Sequence, residues 1–205
     1  MHALIVVAHP NSRSLTHSVA AQIADGISSI PSDSFAIADL AAEAFDPRFT
    51  ADDIAAHLRE APPPADVIAE QNRIDRADAL VLVYPVYWWS MPGLLKGWID
   101  RVFTNGWAYE EVPGTKSVKK LRHLKVHLVA IGGAGARTYA QHGYSDAMKT
   151  QIDHGIFDYC GAQVETSELL LPSDADVPRS HLDTARTIGR NLFAASKQTE
   201  EAAAV

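Results

Sequence analysis

Cysteine is nearly missing from this chain: Cys160 stands alone among 205 residues. No internal disulfide can form, and such usage fits a reducing compartment. Basic charge is also short, with 18 Lys and Arg against 25 Asp and Glu and a net charge of −7. That disfavours nucleic acid as the main partner and leaves no basic face for an acidic membrane. Met1 and His2 supply no basic leader region, and the apolar run over 3–8 is too short for a signal sequence. Residues 79–95 are apolar, but Pro85, Ser90, Pro92 and Gly93 interrupt them, so a buried strand and a helix start are expected there, not a membrane span. The chain reads as a soluble, cytoplasmic protein with one domain over 1–205 and a frayed tail from about 198.

The familiar glycine signatures are absent too. Residues 9–17, His-Pro-Asn-Ser-Arg-Ser-Leu-Thr-His, follow the first apolar run and contain no glycine. The GxGxxG fingerprint is therefore missing, which disfavours a conventional Rossmann dehydrogenase. Gly132-Gly133-Ala134-Gly135 is not a P-loop, because no Lys-Ser or Lys-Thr follows it.

What is present alternates. The continuous β-rich run over 3–8, the alternating stretch 34–40, and the stretches 79–85, 125–131 and 164–171 read as strands. Helical spacing is expected over 14–27, 65–76, the stretch after Pro92, 146–159 and 178–197. Val67, Ile68 and Ile74 should face inward, as should Leu94, Leu95, Trp98, Ile99 and Val102. Residues 45–64 read as an irregular excursion closed by Pro62-Pro63-Pro64, and 112–122 as a basic, exposed connector. Such alternation predicts an α/β fold with a doubly wound five-stranded parallel sheet, in the flavodoxin-like order 2-1-3-4-5. Ligands then sit beyond the carboxyl ends of the first, third and fourth strands.

Three unusual loops occupy those ends. The first, 9–17, opens a helix with Ser12, Arg13, Ser14 and Thr16, a donor set suited to a phosphate as well as to ordinary capping. The second, Pro85-Val86-Tyr87-Trp88-Trp89, offers a platform for a flat conjugated ring; one of the two indoles is expected to cover the core. The third is the glycine run at 132–135, where backbone can approach a ligand closely.

Taken together, Ala69-Glu70-Gln71, Ala77-Asp78, Pro85-x-x-Trp88-x-x-x-Pro92-x-x-Leu95-Lys96-Gly97-Trp98-Ile99-Asp100-Arg101-Val102-Phe103, Ala108-Tyr109 and Asp158-Tyr159-Cys160-Gly161 resemble the flavin-dependent NAD(P)H:quinone oxidoreductases. That family includes the flavoproteins that accompany potassium-efflux systems. The resemblance covers roughly residues 3–164. It implies that His9, Ser14, Leu15 and Thr16 hold the flavin phosphate and ribityl chain. Pro85, Val86, Tyr87, Trp88 and Trp89 would contact the isoalloxazine, with Ile131, Gly132 and Gly133 presenting amides to its pyrimidine edge. Trp107, Tyr109 and Tyr159 would wall the substrate pocket, the first two from the partner of a homodimer with its sites at the interface. Tyr139, His142 and Tyr144 stand where the family often carries a Tyr and His charge relay, though Tyr139 is displaced by one position and Tyr144 replaces the histidine. The implied cofactor is FAD, with FMN possible, and the implied reaction is ping-pong hydride transfer from NAD(P)H to a quinone-like acceptor. A flavin-binding regulatory subunit of a transporter or other protein, with little turnover, is the second reading.

Other chemistry-bearing residues have simpler readings. His123 and His127 lack a third ligand, and Cys160 reads as a small buried hydrophobe. Asp100 and Arg101 suggest helix-packing or surface pairs, while Asp52-Asp53 and Glu110-Glu111 read as solvated.

Overall fold

The computed structural model describes residues 1–172 and 177–194. Five strands form the main sheet: β1 (His2–Val7), β2 (Ser34–Asp39), β3 (Ala79–Pro85), β6 (Lys125–Ile131) and β7 (Gln163–Leu170). All neighbours are parallel, in the order β2-β1-β3-β6-β7, which is the expected 2-1-3-4-5 arrangement. β3 lies at the centre with every residue from Ala79 to Tyr84 buried, so its unbroken apolar run is the consequence of helices on both faces. One face is covered by α1 (Leu15–Ser28) and α7 (Val177–Asn191) through Val19, Ile23, Ile27 and Ala185. The other is covered by α3 (Ala65–Asp75), α4 (Gly93–Val102) and a π-helix (Lys149–Asp158) through Ile74, Leu95, Trp98, Val102, Ile152 and Phe157.

Several elements depart from the sequence expectation. The irregular stretch contains α2 (Ala51–His57), opened by a capping box in which Thr50 and Asp53 satisfy each other's backbone amides. Asp53 is not solvated: it is buried and accepts two hydrogen bonds from Arg101 Nε, at 3.0 and 3.1 Å. Arg101 also donates to the Asp46 carbonyl at 2.8 Å and to Asp66 at 2.7 Å. One guanidinium thus pins the whole 45–66 excursion onto α4. The fit is close at Gly97, where a Cβ would run into the Pro47 carbonyl. Ile68 faces outward at 39% exposure, unlike buried Val67 and Ile74. The connector closes a small antiparallel ribbon, β4 (Tyr109–Glu110) with β5 (Val118–Lys119). A short α5 (Ala136–His142) and α6 (Tyr144–Met148) precede the π-helix, where a single α-helix over 146–159 was expected. The expected helix end at 195–197 and the frayed tail lie outside the described residues. Cys160 is buried, and burial pushes its thiol up to about 11.

The most diagnostic part of the resemblance turns out to be scaffold. Trp98 is fully buried and donates its indole N–H to Glu70 at 2.9 Å. Gln71 donates from Nε2 to the Val102 carbonyl and to Thr104 Oγ1, both at 2.9 Å, tying α3 to the end of α4.

Removing Arg101 leaves Asp53 buried without its cation, so Arg101→Ala should cost about 3–5 kcal/mol of folding stability. Arg101→Lys should recover only part of it, because one ammonium cannot replace a fork that serves Asp53, Asp66 and a carbonyl. Urea unfolding checks this; a loss below about 1 kcal/mol for the alanine variant would remove the pinning role. A second expectation concerns His127, which bonds through Nδ1 to Thr166 Oγ1 at 3.0 Å and is 3% exposed. Burial pushes its imidazole from the ordinary 6.5 down to about 4. The unfolded chain therefore binds the extra proton first, so this stability is complete above pH 6.5 and is lost as pH falls toward 4. The loss should be on the order of 2 kcal/mol by pH 5. His127→Leu should flatten that part of the pH dependence; an unchanged dependence would exclude His127 as its source.

Candidate active site

The carboxyl ends of β1, β3 and β6 lie side by side because their registers pair Val7 with Val83 and Pro85 with Ile131. Backbone hydrogen bonds carry the alignment past the strands, from Ala8 N to Val83 O at 3.3 Å and from Val86 N to Ile131 O at 2.8 Å. The three expected loops therefore share one edge of the sheet.

The aromatic loop is a two-residue turn. Tyr87 and Ser90 exchange both backbone hydrogen bonds at 3.1 Å, and the central residues Trp88 and Trp89 have φ of 51° and 61°. Left-handed backbone at both positions is the demand of a type I′ turn, which ordinarily selects Asn and Gly. Two tryptophans there cost roughly 1–2 kcal/mol each. The turn is held from outside: Ser90 Oγ donates to Gln151 Oε1 at 2.7 Å, so the π-helix buttresses it. Trp89 is partly buried and stacks on Tyr144 with centroids 3.8 Å apart and an angle of 11°. Tyr139 meets Trp89 edge-on at 5.3 Å. Trp88 is 93% exposed, so only one indole covers the core. The amides of Trp88 and Trp89 make no hydrogen bond among the described residues.

Opposite this turn, Val86, Trp88, Trp89, Gly133, Ala134 and Tyr139 line a crevice of about 210 Å3. Gly132 is buried beneath it. A Cβ on Gly132 would sit 2.6 Å from the Tyr139 hydroxyl and 2.5 Å from Leu171. Its N–H is already donated to the Leu170 carbonyl at 2.9 Å, so it is not available to a ligand edge. Gly133 is exposed, and a Cβ there would meet nothing within 4 Å. Burial raises the Tyr139 phenol above its ordinary range. His142, at the end of α5, tilts against Tyr144 with centroids 5.3 Å apart. Tyr139, His142 and Tyr144 are thus one aromatic cluster around Trp89, of which only Tyr139 lines the crevice.

The first loop ends at Ser14, the N-cap of α1, whose hydroxyl accepts from His17 N at 3.3 Å. His9 is half-buried and its Nδ1 accepts from Asn11 N at 3.0 Å. Leu15 is partly buried and Thr16 is buried. His17, which the sequence reading left without a role, bridges Ser14 and Asp39: Nδ1 lies 2.9 Å from Ser14 Oγ, and Nε2 lies 2.9 Å from Asp39 Oδ2. Its partner on β2 is 22 positions away, so no local spacing marks the pair.

Trp107, Tyr109 and Tyr159 are not at the crevice of this chain. Trp107 donates its indole N–H to Asp75 at 3.0 Å and lines a separate, wider hollow of about 510 Å3 with Arg59 and Gln71. Tyr109 and Tyr159 meet edge-on at 5.2 Å, and the Tyr159 hydroxyl lies 3.0 Å from Ser117 Oγ. Burial, then Glu111 and Tyr159, raise the Tyr109 phenol.

Comparison with known proteins agrees with this fold. The family described as flavodoxin-like fold matches residues 1–187. A Haemophilus influenzae protein named as an uncharacterized NAD(P)H oxidoreductase is 31% identical over 82% of this chain and 83% of its own length. An NAD(P)H:quinone oxidoreductase from Methanothermobacter marburgensis superposes with a TM-score of 0.85 at 28% identity, over 94% of this chain and 98% of that one. General stress protein 14 of Treponema denticola, solved in complex with FMN, superposes with a TM-score of 0.65 at 26% identity over 95% and 99%. The chain belongs to the flavodoxin-like family, among the relatives of the NAD(P)H:quinone oxidoreductases. No helix among the described residues is long and apolar enough to cross a membrane.

Because Trp88 holds a left-handed conformation while 93% exposed, Trp88→Gly should stabilise the ligand-free protein by about 1 kcal/mol. A lower urea midpoint for this variant would mean that the indole contributes packing not evident from its exposure.

Proposed function

We propose that this protein is a flavin-dependent reductase that passes hydride from NAD(P)H to a quinone or similar small electrophile by a ping-pong cycle. The observation that carries the reading is the strained Trp88-Trp89 turn facing an open Gly133 across an apolar crevice. Strain of this kind persists where surrounding structure over-determines it, and it clusters at functional sites. The residues fit a flavin. Val86, Trp89 and Tyr139 would give a flat ring an apolar floor, and the amides of Trp88 and Trp89, without a hydrogen bond among the described residues, would donate to its polar edge beside exposed Gly133.

A bound flavin supplies the redox chemistry, taking hydride from the nicotinamide and giving two electrons to the acceptor. The chain's own residues then bind and orient. The N-terminus of α1, with Ser14, Leu15 and Thr16, receives the phosphate, where amides without intrahelical partners favour an anion. His9 lies beside it. The amides of Trp88 and Trp89 would donate to the ring edge on which negative charge grows during reduction. Tyr139 presents a phenol that burial holds in its neutral form, a hydrogen-bond donor and acceptor at the crevice wall. FMN is the better candidate than FAD, because the FMN-bound relative matches this chain nearly end to end. A second copy of the chain would bring Trp107 and Tyr109 over the crevice, and with them Tyr159, which stands against Tyr109 in the same chain.

An anaerobic visible spectrum of the FMN-loaded protein tests the reading. NADH or NADPH should bleach the flavin band at once, and a quinone should restore it. A band that neither nucleotide bleaches would exclude the reductase and favour a flavin-binding regulatory subunit.

A further inference from the structure

The hydroxyl of Ser14 faces two claims. It caps α1 by accepting from His17 N at 3.3 Å, and it lies 2.9 Å from His17 Nδ1. The direction of the second bond follows from the other side of the ring. His17 Nε2 lies 2.9 Å from Asp39 Oδ2. Asp39 also accepts from the amides of Ala41 and Ala42, both at 3.2 Å. Burial raises this carboxyl, but the His17 bond and the two amides outweigh burial and hold it below the usual range. Asp39 is therefore ionised and can only accept, so His17 Nε2 carries a hydrogen. In the neutral ring Nδ1 is then a lone pair, and the Ser14 hydroxyl hydrogen must point at it. The Ser14 hydroxyl hydrogen is thereby turned away from an arriving phosphate.

Protonation of the ring reverses that bond. Nδ1–H then donates to Ser14 Oγ, and the hydroxyl hydrogen is released outward. Both contacts of the half-buried ring survive, Asp39 gains a full ion pair, and a positive charge stands in the first turn of α1. Simple rotation of Ser14 would instead leave Nδ1 without a partner. We propose that His17 takes up one proton when the flavin phosphate binds, so that Asp39 and His17 act through Ser14 as positioning residues selecting a phosphorylated flavin. This rests on the flavin reading above. The proton comes from solvent, and no covalent bond changes. Among the described residues, two titratable groups face the ring from other elements: Asp39 at the end of β2, and His9 in the loop after β1, edge-on at 6.2 Å. His9 Nδ1 is occupied by Asn11 N.

Calorimetric titration of the flavin-stripped full chain tests this, in Tris and in HEPES at about pH 8, where a phosphomonoester is already a dianion. FMN should bind with between half and one proton taken up, and riboflavin with none. FMN affinity should weaken by up to tenfold per pH unit toward alkaline pH, whereas riboflavin affinity should stay flat. His17→Gln keeps a planar polar side chain but cannot titrate. It should bind FMN without proton uptake and lose the alkaline slope, with riboflavin affinity unchanged. The ring nitrogen signals of His17 in the unmutated protein should move from the neutral to the doubly protonated pattern on adding FMN, which decides the matter even if the variant misfolds. FMN binding with no proton uptake, or with the same uptake in His17→Gln, overturns the inference and leaves the reductase reading intact. Failure of both flavins to bind overturns the two together.

Discussion

The left-handed pair at Trp88 and Trp89 is the constraint on which the candidate site depends. β3 is buried on both faces up to Tyr84, and the chain must leave the sheet within a few residues before Gly93 opens α4. A tight turn solves that problem, but two bulky residues with positive φ resist it. The resistance is overcome by neighbours: the Tyr87–Ser90 backbone pair, the Ser90–Gln151 bond and the Trp89–Tyr144 stack. The first lies within the turn itself and the other two reach it from the π-helix and α6, so the turn is held by elements that follow it far along the chain. A π-helix widens the backbone spiral and is often found beside functional sites. Here it places Gln151 against the turn.

The parallel sheet was legible because β1 and β3 carry continuous apolar runs, and continuity is what double-sided burial selects. Loop convergence then followed from topology alone. Other features depend on distant partners. α2 is only seven residues long and sits among prolines, so its helical repeat is too short to read. Its capping pattern, Thr50 with Asp53, was present in the sequence and could have signalled it. That Asp53 is buried could not be read, because its cation Arg101 lies 48 positions away. Two left-handed tryptophans contradict the usual rule that such positions carry glycine or asparagine, so propensity points away from the true turn.

The resemblance and the geometry inform different parts of the molecule. Glu70, Gln71, Trp98 and Arg101 are among the most diagnostic residues of the sequence match, yet each is buried and serves the junction of α3, α4 and the excursion. Their value to a site is indirect, since that junction fixes the helix into which the Trp88-Trp89 turn leads. The crevice itself rests on residues with weaker signatures: a diglycine, one displaced tyrosine and a second tyrosine in place of a histidine. A match on scaffold residues supports the fold strongly and leaves the acceptor to be decided by the less diagnostic positions.

The proportions of the crevice bear on how the proposed reaction would be completed. At about 210 Å3, it can seat part of a three-ring system but not a substrate stacked upon it. A ring laid on Val86, Trp89 and Tyr139 would have its other face open to water in a single chain. Water competes for each hydrogen bond at the ring edge and weakens the field of the amides that tune it. Trp107, Tyr109 and Tyr159 cannot supply the missing wall from where they stand, beside Asp75 and Ser117. On the proposed function, a second chain must therefore bring an apolar wall to the exposed Trp88 side. Substrate choice would then be made between two copies of the protein, while binding of the cofactor phosphate stays within one.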